Sequence, residues 1–428
     1  MPVAGRLVRV LTDVLGDTLP VRVRAWDGSE SGPPEAPLVI IKDRKALRRL
    51  AWRPDEVGLG RGYVAGEIDV EGDLFDALGR LMDLVSAQNG SRPALSARRR
   101  AQLLISAMRL GAVGPEPAPP PEEARVEGTM HSRGRDRAAI SHHYDVGNDF
   151  YRILLGPSLV YSCAYWNRPQ DPAYSLEDAQ RDKLELVCRK LGVQPGTRLL
   201  DVGCGWGSMA LHAASEHGAT VVGVTLSAAQ ASLARERVEQ AGLAGQVQIR
   251  LQDYRDVDDG PYDAISSIGM AEHVGAGPYL DYARSLFGLL RPGGRLLNHQ
   301  IARRPGPSTQ GEQTFISAFV FPDGELTPVG DTVSLIEQAG FEVRDVQALR
   351  EHYALTLRQW VRNLEARWDE AVRLTSPGRA RVWRLYMTGS ALSFEANRIG
   401  VNQVLAVKPT AEGRSGAPLV RGAWTVLD

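Results

Sequence analysis

The stretch Leu199-Leu200-Asp201-Val202-Gly203-Cys204-Gly205-Trp206-Gly207 puts three glycines where an apolar strand gives way to a helix. Glycine at such a turn permits positive φ and lets the backbone approach a ligand closely. Gly203, Gly205 and Gly207 follow the spacing G-x-G-x-G, with Asp201 just before them, and not the G-x-G-x-x-G of a pyrophosphate cradle. That arrangement favours a nucleoside-bearing amino acid. The chain has no G-x-x-x-x-G-K-[ST], so phosphoryl transfer loses support. The next strand ends in Val224-Thr225-Leu226-Ser227, with Gln230 one turn later. Many nucleoside sites have a carboxylate at that strand end; Thr225 and Gln230 could serve the ribose or the amino-acid part by neutral hydrogen bonds. After a third strand, Asp253 is placed to receive an adenine amino group and Tyr254 to pack on the ring, with Arg255 next. Each polar residue alone reads equally well as a loop cap. Their occurrence at three successive strand ends favours a ligand. The missing third-glycine spacing and the missing ribose carboxylate oppose a dehydrogenase.

These residues meet only if the strand ends line up. Thr197–Val202, Ala219–Val224, Gln246–Leu251, Tyr262–Ile268 and Gly294–Gln300 read as strands, with helices at Ser208–Glu216 and Ala228–Ala241. Strands alternating with helices predict a parallel, doubly wound α/β sheet. Phe341–Leu349 and Val401–Lys408 are late strands that could complete it, with helical patterns at Ala354–Arg373 and Gly378–Arg398 between them. Upstream, Gly111–Ala124 (GAVGPEPAPPPEEA) is too rich in proline for regular structure and marks a linker or strap. The expected division is a smaller α+β or helical domain at 1–110, of a lipid-binding or dimerisation type, a proline-rich linker at 111–140 and the α/β domain at 141–428. In the first part Leu38–Ile41 reads as a strand and Asp73–Ser86 as a helix. The helical pattern Ser96–Leu110 combines an apolar stripe with Arg98, Arg99, Arg100 and Arg109. It reads either as a surface helix packed on the core or as a membrane-surface or dimer-contact helix.

The chain has 428 residues, 43% hydrophobic and 24% charged, enough for two domains with ordinary cores. A formal net charge of −1 argues against nucleic acid as a partner. Only five lysines accompany the many arginines, which reads first as codon bias. Three cysteines, Cys163, Cys188 and Cys204, give no disulfide framework and no zinc spacing, so no metal is expected and a reducing cytoplasm fits. No signal peptide is read at the N-terminus, and no stretch approaches the roughly 18 apolar residues of a membrane span.

The chain resembles the cyclopropane-fatty-acyl-phospholipid synthases and the related mycolic-acid cyclopropane synthases. The resemblance runs from about His142 to Lys408 through HHYDVGNDFY (142–151), YSCAYW (161–166), LLDVGCGWG (199–207), GVTLS (223–227), QDYRD (252–256), GMAEHVG (269–275) and FPDGEL (321–326). It implies a Rossmann-like class I methyltransferase fold with a mostly parallel seven-stranded sheet. The methyl donor would be S-adenosylmethionine, lying over the glycine turn and under a lid that includes the YSC segment. Tyr161 and Ser162 would touch its methionine end, and Gly203, Gly205, Thr225, Gln230, Tyr254 and Arg255 would hold the rest. The resemblance also implies a bicarbonate ion as general base, in a set that maps to Cys163, Glu272, His299, Ile301 and Tyr353. Every one of those side chains is present. AWDGSE (25–30) and YVAGEIDVEGDL (63–74) resemble the branch linked to 10-methyl-branched stearate, in which a separate reductase saturates a 10-methylene product. The implied substrate is an unsaturated, oleoyl-type acyl chain of a phospholipid, met by a cytoplasmic enzyme at the inner membrane face.

The chemistry this implies is demanding. An isolated alkene is a poor nucleophile, so positioning against the sulfonium methyl must do much of the catalysis. The resulting carbocation must be kept from water. Aromatic faces stabilise such a cation by on the order of 0.5–2 kcal/mol each without trapping it; Tyr144, Tyr165 and Phe321 are candidates, with core packing as their alternative role. Proton loss from the incoming methyl closes a cyclopropane; loss after a hydride shift leaves a methylene branch. Glu272 beside an anion would share a proton with it. Cys163 reads as a backbone N–H donor, not as a nucleophile. A methyltransferase acting on a small molecule and a non-catalytic lipid- or cofactor-binding module are the alternatives.

Overall fold

The structure, a computed structural model, describes residues 2–15, 17–87, 105, 106, 108–124, 132–136, 146–306 and 313–424. The chain divides into two compact units. One comprises Met1–Ala124, Glu312–Val320 and Thr375–Leu392; the other comprises Arg125–Gly311, Phe321–Leu374 and Ser393–Asp428.

The first unit holds a four-stranded sheet of β1 (Arg22–Arg24), β2 (Glu30–Ser31), β3 (Leu38–Ile41) and β4 (Ile68–Glu71), in the order β2-β1-β3-β4. Val21, Val23, Ile41 and Ile68 meet Ala4 and Leu7 of helix Val3–Leu15 and Leu84 of helix Leu74–Ala87 in one apolar core. This unit differs in extent from the expected 1–110 domain and 111–140 linker. Described residues of the proline-rich stretch are strapped to it. Arg49 donates to Ala118 O at 2.8 Å and pairs with Glu67, and Arg61 pairs with Glu123 at 2.7 Å and Glu116 at 3.1 Å. Proline lacks an N–H, so this backbone has few bonds to itself and leaves carbonyls for arginines to take. Two later segments also return to this unit. The Phe315 ring lies on the bare backbone of Gly60, where a Cβ would collide with it, and Arg381 binds Asp69 at 2.8 Å. Residues 96–104 and 107 of the Ser96–Leu110 pattern lie outside the described residues, as does Tyr144.

The second unit is built on β5 (Arg198–Val202), β6 (Thr220–Thr225), β7 (Val247–Leu251), β8 (Tyr262–Ile268), β9 (Leu290–Arg303), β10 (Glu342–Ala348) and β11 (Ile399–Val407), in the order β10-β11-β9-β8-β5-β6-β7. Pairing is parallel from β7 to β9, and β11 runs antiparallel to both of its neighbours. Each central strand is apolar on both sides because both sheet faces are covered. Leu199 points into a core with Val187, Ala210 and Ala213, while Leu200 and Val202 point into another with Tyr282 and Leu286. The strand order reverses between β5 and β8, which opens a crevice at their carboxyl ends. Among the described residues no helix is long and apolar enough to cross a membrane.

Candidate active site

The glycine turn leaves β5 at that crevice. Gly203, Gly205 and Gly207 have φ of 74°, 53° and 80°, the left-handed region that side chains resist. The Gly203 and Cys204 N–H groups both donate to Val224 O at 3.0 Å, tying the turn to the end of β6. Asp201 is buried, with Oδ1 accepting from Ser266 Oγ at 2.7 Å and Oδ2 lacking a protein partner. Burial raises its pKa to about 6. A cationic ligand would relieve that cost. At the end of β6, Thr225 Oγ1 donates to Gln230 Oε1 at 2.9 Å and Ser227 caps the helix Ala228–Gln240. The bond leaves the Gln230 amide nitrogen on the side of Gly205, 4.0 Å from where a Cβ would stand.

Beyond β7, Asp253 is fixed by its neighbour Arg255. Both carboxylate oxygens are taken by Arg255, at 2.8 Å through Nε and 2.6 Å through Nη2, and Asp136 also pairs with Arg255 at 3.1 Å. Tyr254 stands edge-on to Tyr282 at 4.8 Å, as a ring that could stack on a base would.

The segment 161–166 is held from both sides. Helix Leu176–Leu191 starts at a Ser175/Asp178 capping box and ends at Gly192 in left-handed geometry. From it, Gln180 Nε2 donates to Ser162 O at 2.9 Å and Lys183 Nζ to Ser162 Oγ at 3.0 Å. From helix Arg350–Ala366, Thr356 Oγ1 accepts the Ala164 N–H at 3.2 Å, and His352 Nδ1 accepts the Trp166 N–H at 2.9 Å. Lys183 is a residue that sequence reading missed. It is buried, its pKa is lowered to about 8 by that burial, and its charge acts on Cys163, Asp201 and His299. A signal existed: in a chain that otherwise uses arginine, a lysine stands on the apolar face of a helix.

A second set gathers beyond β8 and β9. Gly269 N–H donates to His299 O at 2.8 Å and starts the turn into helix Ala271–Val274. Glu325 of the FPDGEL stretch braces that helix, donating through its N–H to Glu272 O at 3.0 Å and accepting from Ala276 N–H at 2.9 Å. Glu272 Oε1 accepts the Ile301 N–H at 2.7 Å; Oε2 is buried without a protein partner. Burial pushes this carboxyl up to about pH 7, against the lowering effect of the Ile301 bond. Two residues before Ile301, His299 places Nδ1 3.3 Å from Gln403 Nε2, while its buried Nε2 also lacks a protein partner. Burial first, then Lys183 and Lys190, lowers its pKa to about 3, so the ring is neutral. Cys163 and Tyr353 converge on Leu349. Its carbonyl accepts the Tyr353 N–H at 3.1 Å, and Cys163 Sγ lies 3.6 Å from it. Burial raises the Cys163 thiol well above its ordinary value, which keeps it protonated and unreactive.

Between the two sets runs a string of rings that the linear motifs do not reveal. Trp206 of the glycine turn meets Tyr151 at 4.7 Å, Tyr151 meets Tyr161 at 5.8 Å, and Tyr161 meets Trp360 at 5.4 Å. Trp360 meets Tyr353 at 6.0 Å, and Tyr353 meets Phe394 at 4.8 Å. Tyr165 stacks on His352 at 5.0 Å, and Phe321 lies edge-on to His273 at 5.6 Å.

A doubly wound sheet of this order, with a glycine turn at its switch point, is the class I S-adenosylmethionine-dependent methyltransferase fold. The chain belongs to the family described as mycolic acid cyclopropane synthetase, matched over residues 131–404, and is an S-adenosylmethionine-dependent methyltransferase of the cyclopropane-fatty-acyl-phospholipid synthase type. It is 42% identical over 415 residues to a probable fatty acid methyltransferase of Mycobacterium tuberculosis, covering 94% of each chain. It is 37% identical over 284 residues to the cyclopropane-fatty-acyl-phospholipid synthase of Escherichia coli, covering 66% of this chain and 71% of that one. The solved mycolic acid cyclopropane synthase CmaA1, complexed with SAH and CTAB, superposes with a TM-score of 0.59 at 34% identity, covering 63% of this chain and 97% of that one.

Proposed function

We propose that the protein transfers a methyl group from S-adenosylmethionine to the double bond of an unsaturated, oleoyl-type acyl chain of a phospholipid. The reaction passes through a carbocation and gives a cyclopropane or a 10-methylene chain, the latter a substrate for a separate reductase. The observation that carries this reading is the buried pair Glu272 Oε2 and His299 Nε2, each without a protein partner; Glu272, on the helix after β8, is tied to β9 through the N–H of Ile301, two residues along that strand from His299. A carboxyl near pH 7 and a neutral imidazole fit a small, protonatable oxyanion and would repel a second full carboxylate. Bicarbonate, held by Glu272, His299, Tyr353, Cys163 and the Ile301 backbone, would supply the general base.

The chain's own residues do the rest. Asp201, Gly203, Gly205, Gly207, Thr225, Gln230, Asp253, Tyr254 and Arg255 hold the cofactor, Asp253 by fixing Arg255. Tyr161 and Ser162 fix its methionine end. The ring string excludes water and presents π faces to the developing cation. His273 and His352 suit that role. Burial lowers the pKa of both, His273 to about 4, so neither sets a positive charge beside Phe321 or Tyr165. The enzyme would work at the inner membrane face, drawing the acyl chain from the lipid surface.

Lys183 makes the cofactor side testable. Lys183→Met is expected to raise the dissociation constant of S-adenosylhomocysteine about tenfold or more, because a hydrogen bond from a charged donor is worth about 1.5–3 kcal/mol. The melting temperature is not expected to fall, since methionine spares the desolvation of a buried ammonium. Unaltered affinity by calorimetry would remove Lys183 from the site.

The substrate is tested in cells rich in oleoyl lipids. Expression should add one CH2 to the oleoyl fatty acid methyl esters in mass spectra, and fragmentation separates ring from methylene. Acyl masses that match those of cells expressing Glu272→Gln would end the proposal.

A further inference from the structure

We propose that Glu185, Cys188, His212 and His217 form a binding site for one divalent transition-metal ion of the zinc class, separate from the methyl-transfer site. None of the four belongs to the cofactor or base sets. Glu185 and Cys188 stand one turn apart on helix Leu176–Leu191; His212 and His217 come from helix Ser208–His217. The donor atoms of Cys188, His212 and His217 all lie within 4.8 Å of one another. Both imidazole Nε2 atoms converge on the same oxygen, Glu185 Oε2, at 3.4 Å for His212 and 2.8 Å for His217.

These separations suit a tetrahedral ion. Metal–nitrogen bonds of about 2.0–2.1 Å put neighbouring ligand atoms roughly 3.3 Å apart, and a thiolate at about 2.3 Å lengthens its edges slightly. Cys188, His212 and His217 supply the three ligands already grouped; Glu185, in contact with both imidazoles, would take the fourth position, its approach to the thiol needing a rotamer change. Two imidazoles, a thiolate and a carboxylate select zinc, cobalt or copper over magnesium or calcium. The position also allows entry: Cys188 is buried, while Glu185 retains 21% side-chain exposure. Arg189 Nε donates to the other Glu185 oxygen at 2.6 Å, the kind of outer contact that orients a ligand carboxylate. Cysteine spacing alone hid the site because its donors come from two helices. The ion would clip the helix that carries Lys183 to the helix that opens at Gly207.

The test uses the full chain without an affinity tag, stripped with a chelator and titrated with zinc chloride, then with cobalt(II) chloride as a spectroscopic stand-in. One equivalent per chain should bind. The cobalt form should show intense tetrahedral bands with a thiolate charge-transfer band that Cys188→Ser removes. Zinc at a hundred times its dissociation constant should raise the melting temperature by several degrees; magnesium and calcium should not. His212→Gln with His217→Gln should weaken zinc binding at least a hundredfold and leave methyl transfer in metal-free buffer unchanged. Weak octahedral cobalt bands without a thiolate band, or equal zinc affinity in the double variant, would overturn the site. The wild-type cobalt spectrum decides the matter even if the double variant fails to fold.

Discussion

Replacing Glu272 with glutamine is expected to cut turnover by about a hundred- to ten-thousandfold, the usual contribution of a group that handles a proton in the transition state, while S-adenosylhomocysteine binds as before. Glutamine keeps the oxygen that accepts the Ile301 N–H, so the backbone of β9 should not move. It cannot carry charge or exchange a proton, and that is what the chemistry requires. Stability should change in the opposite direction. The folded carboxyl is raised from 4.5 to about 7, so its contribution to stability is fully present below about pH 4.5 and is lost as pH rises through 7. Above that, the native state carries a buried charge at a cost of about 3 kcal/mol. Glu272→Gln should therefore melt higher than wild type at pH 8 and about level with it near pH 4.5. Tyr353→Phe should likewise retain cofactor binding and lose turnover. Calorimetric melting at both pH values, with a single-turnover assay, checks the two directions together. Wild-type turnover in Glu272→Gln would remove this residue from the mechanism.

Gly203→Ala should abolish useful cofactor affinity, raising the S-adenosylhomocysteine dissociation constant by more than about a hundredfold. A Cβ at this φ of 74° would lie 2.6 Å from Met270 Cγ and nearer still to the sulfur. Overpacking of this kind costs about 1–3 kcal/mol, and the left-handed backbone adds about 1 kcal/mol. Relief comes from displacing the Met270 side chain, which lies against the turn, or from moving the turn itself, which the two hydrogen bonds to Val224 O hold against β6. The control is Gly242→Ala. Its φ is 70° and nothing lies within 4 Å of the added carbon, so it carries the backbone cost alone. Gly242→Ala should lose about 1 kcal/mol of stability and bind the cofactor normally. Equal affinity in the two variants would show that the Gly203 turn does not contact the ligand.

Local pattern made most of the scaffold legible. Leu38–Ile41 and Tyr262–Ile268 occur with the expected boundaries, β5 and β7 start one residue later, and β6 and β10 differ by one residue at each end. Their apolar runs end at clusters of glycine, proline or polar residues that favour turns. β9 is longer than expected, beginning at Leu290 rather than Gly294; Arg291, Pro292 and Gly293 hide its start. The site was legible where a motif is contiguous, as at 199–207. Asp253 shows the limit. It stands just beyond β7 as expected, and its ion pair with Arg255, two residues on, is a contact that the strand pattern does not announce.

What the sequence determined by itself was the alternation of strands and helices, the glycine turn with Asp201 before it, and the motifs that carry the family likeness. All of these are written in neighbouring residues, through periodicity, permitted φ and turn chemistry. Only the tertiary structure decided that Lys183 reaches Ser162, that rings from Trp206 to Phe394 form one string, that Glu272 and His299 each keep a buried polar atom in reserve, and that 312–320 and 375–392 belong with the first unit. Those are meetings between residues tens or hundreds of positions apart. Which ones occur depends on how the covered sheet draws distant loops to its carboxyl edge, and no local preference records that.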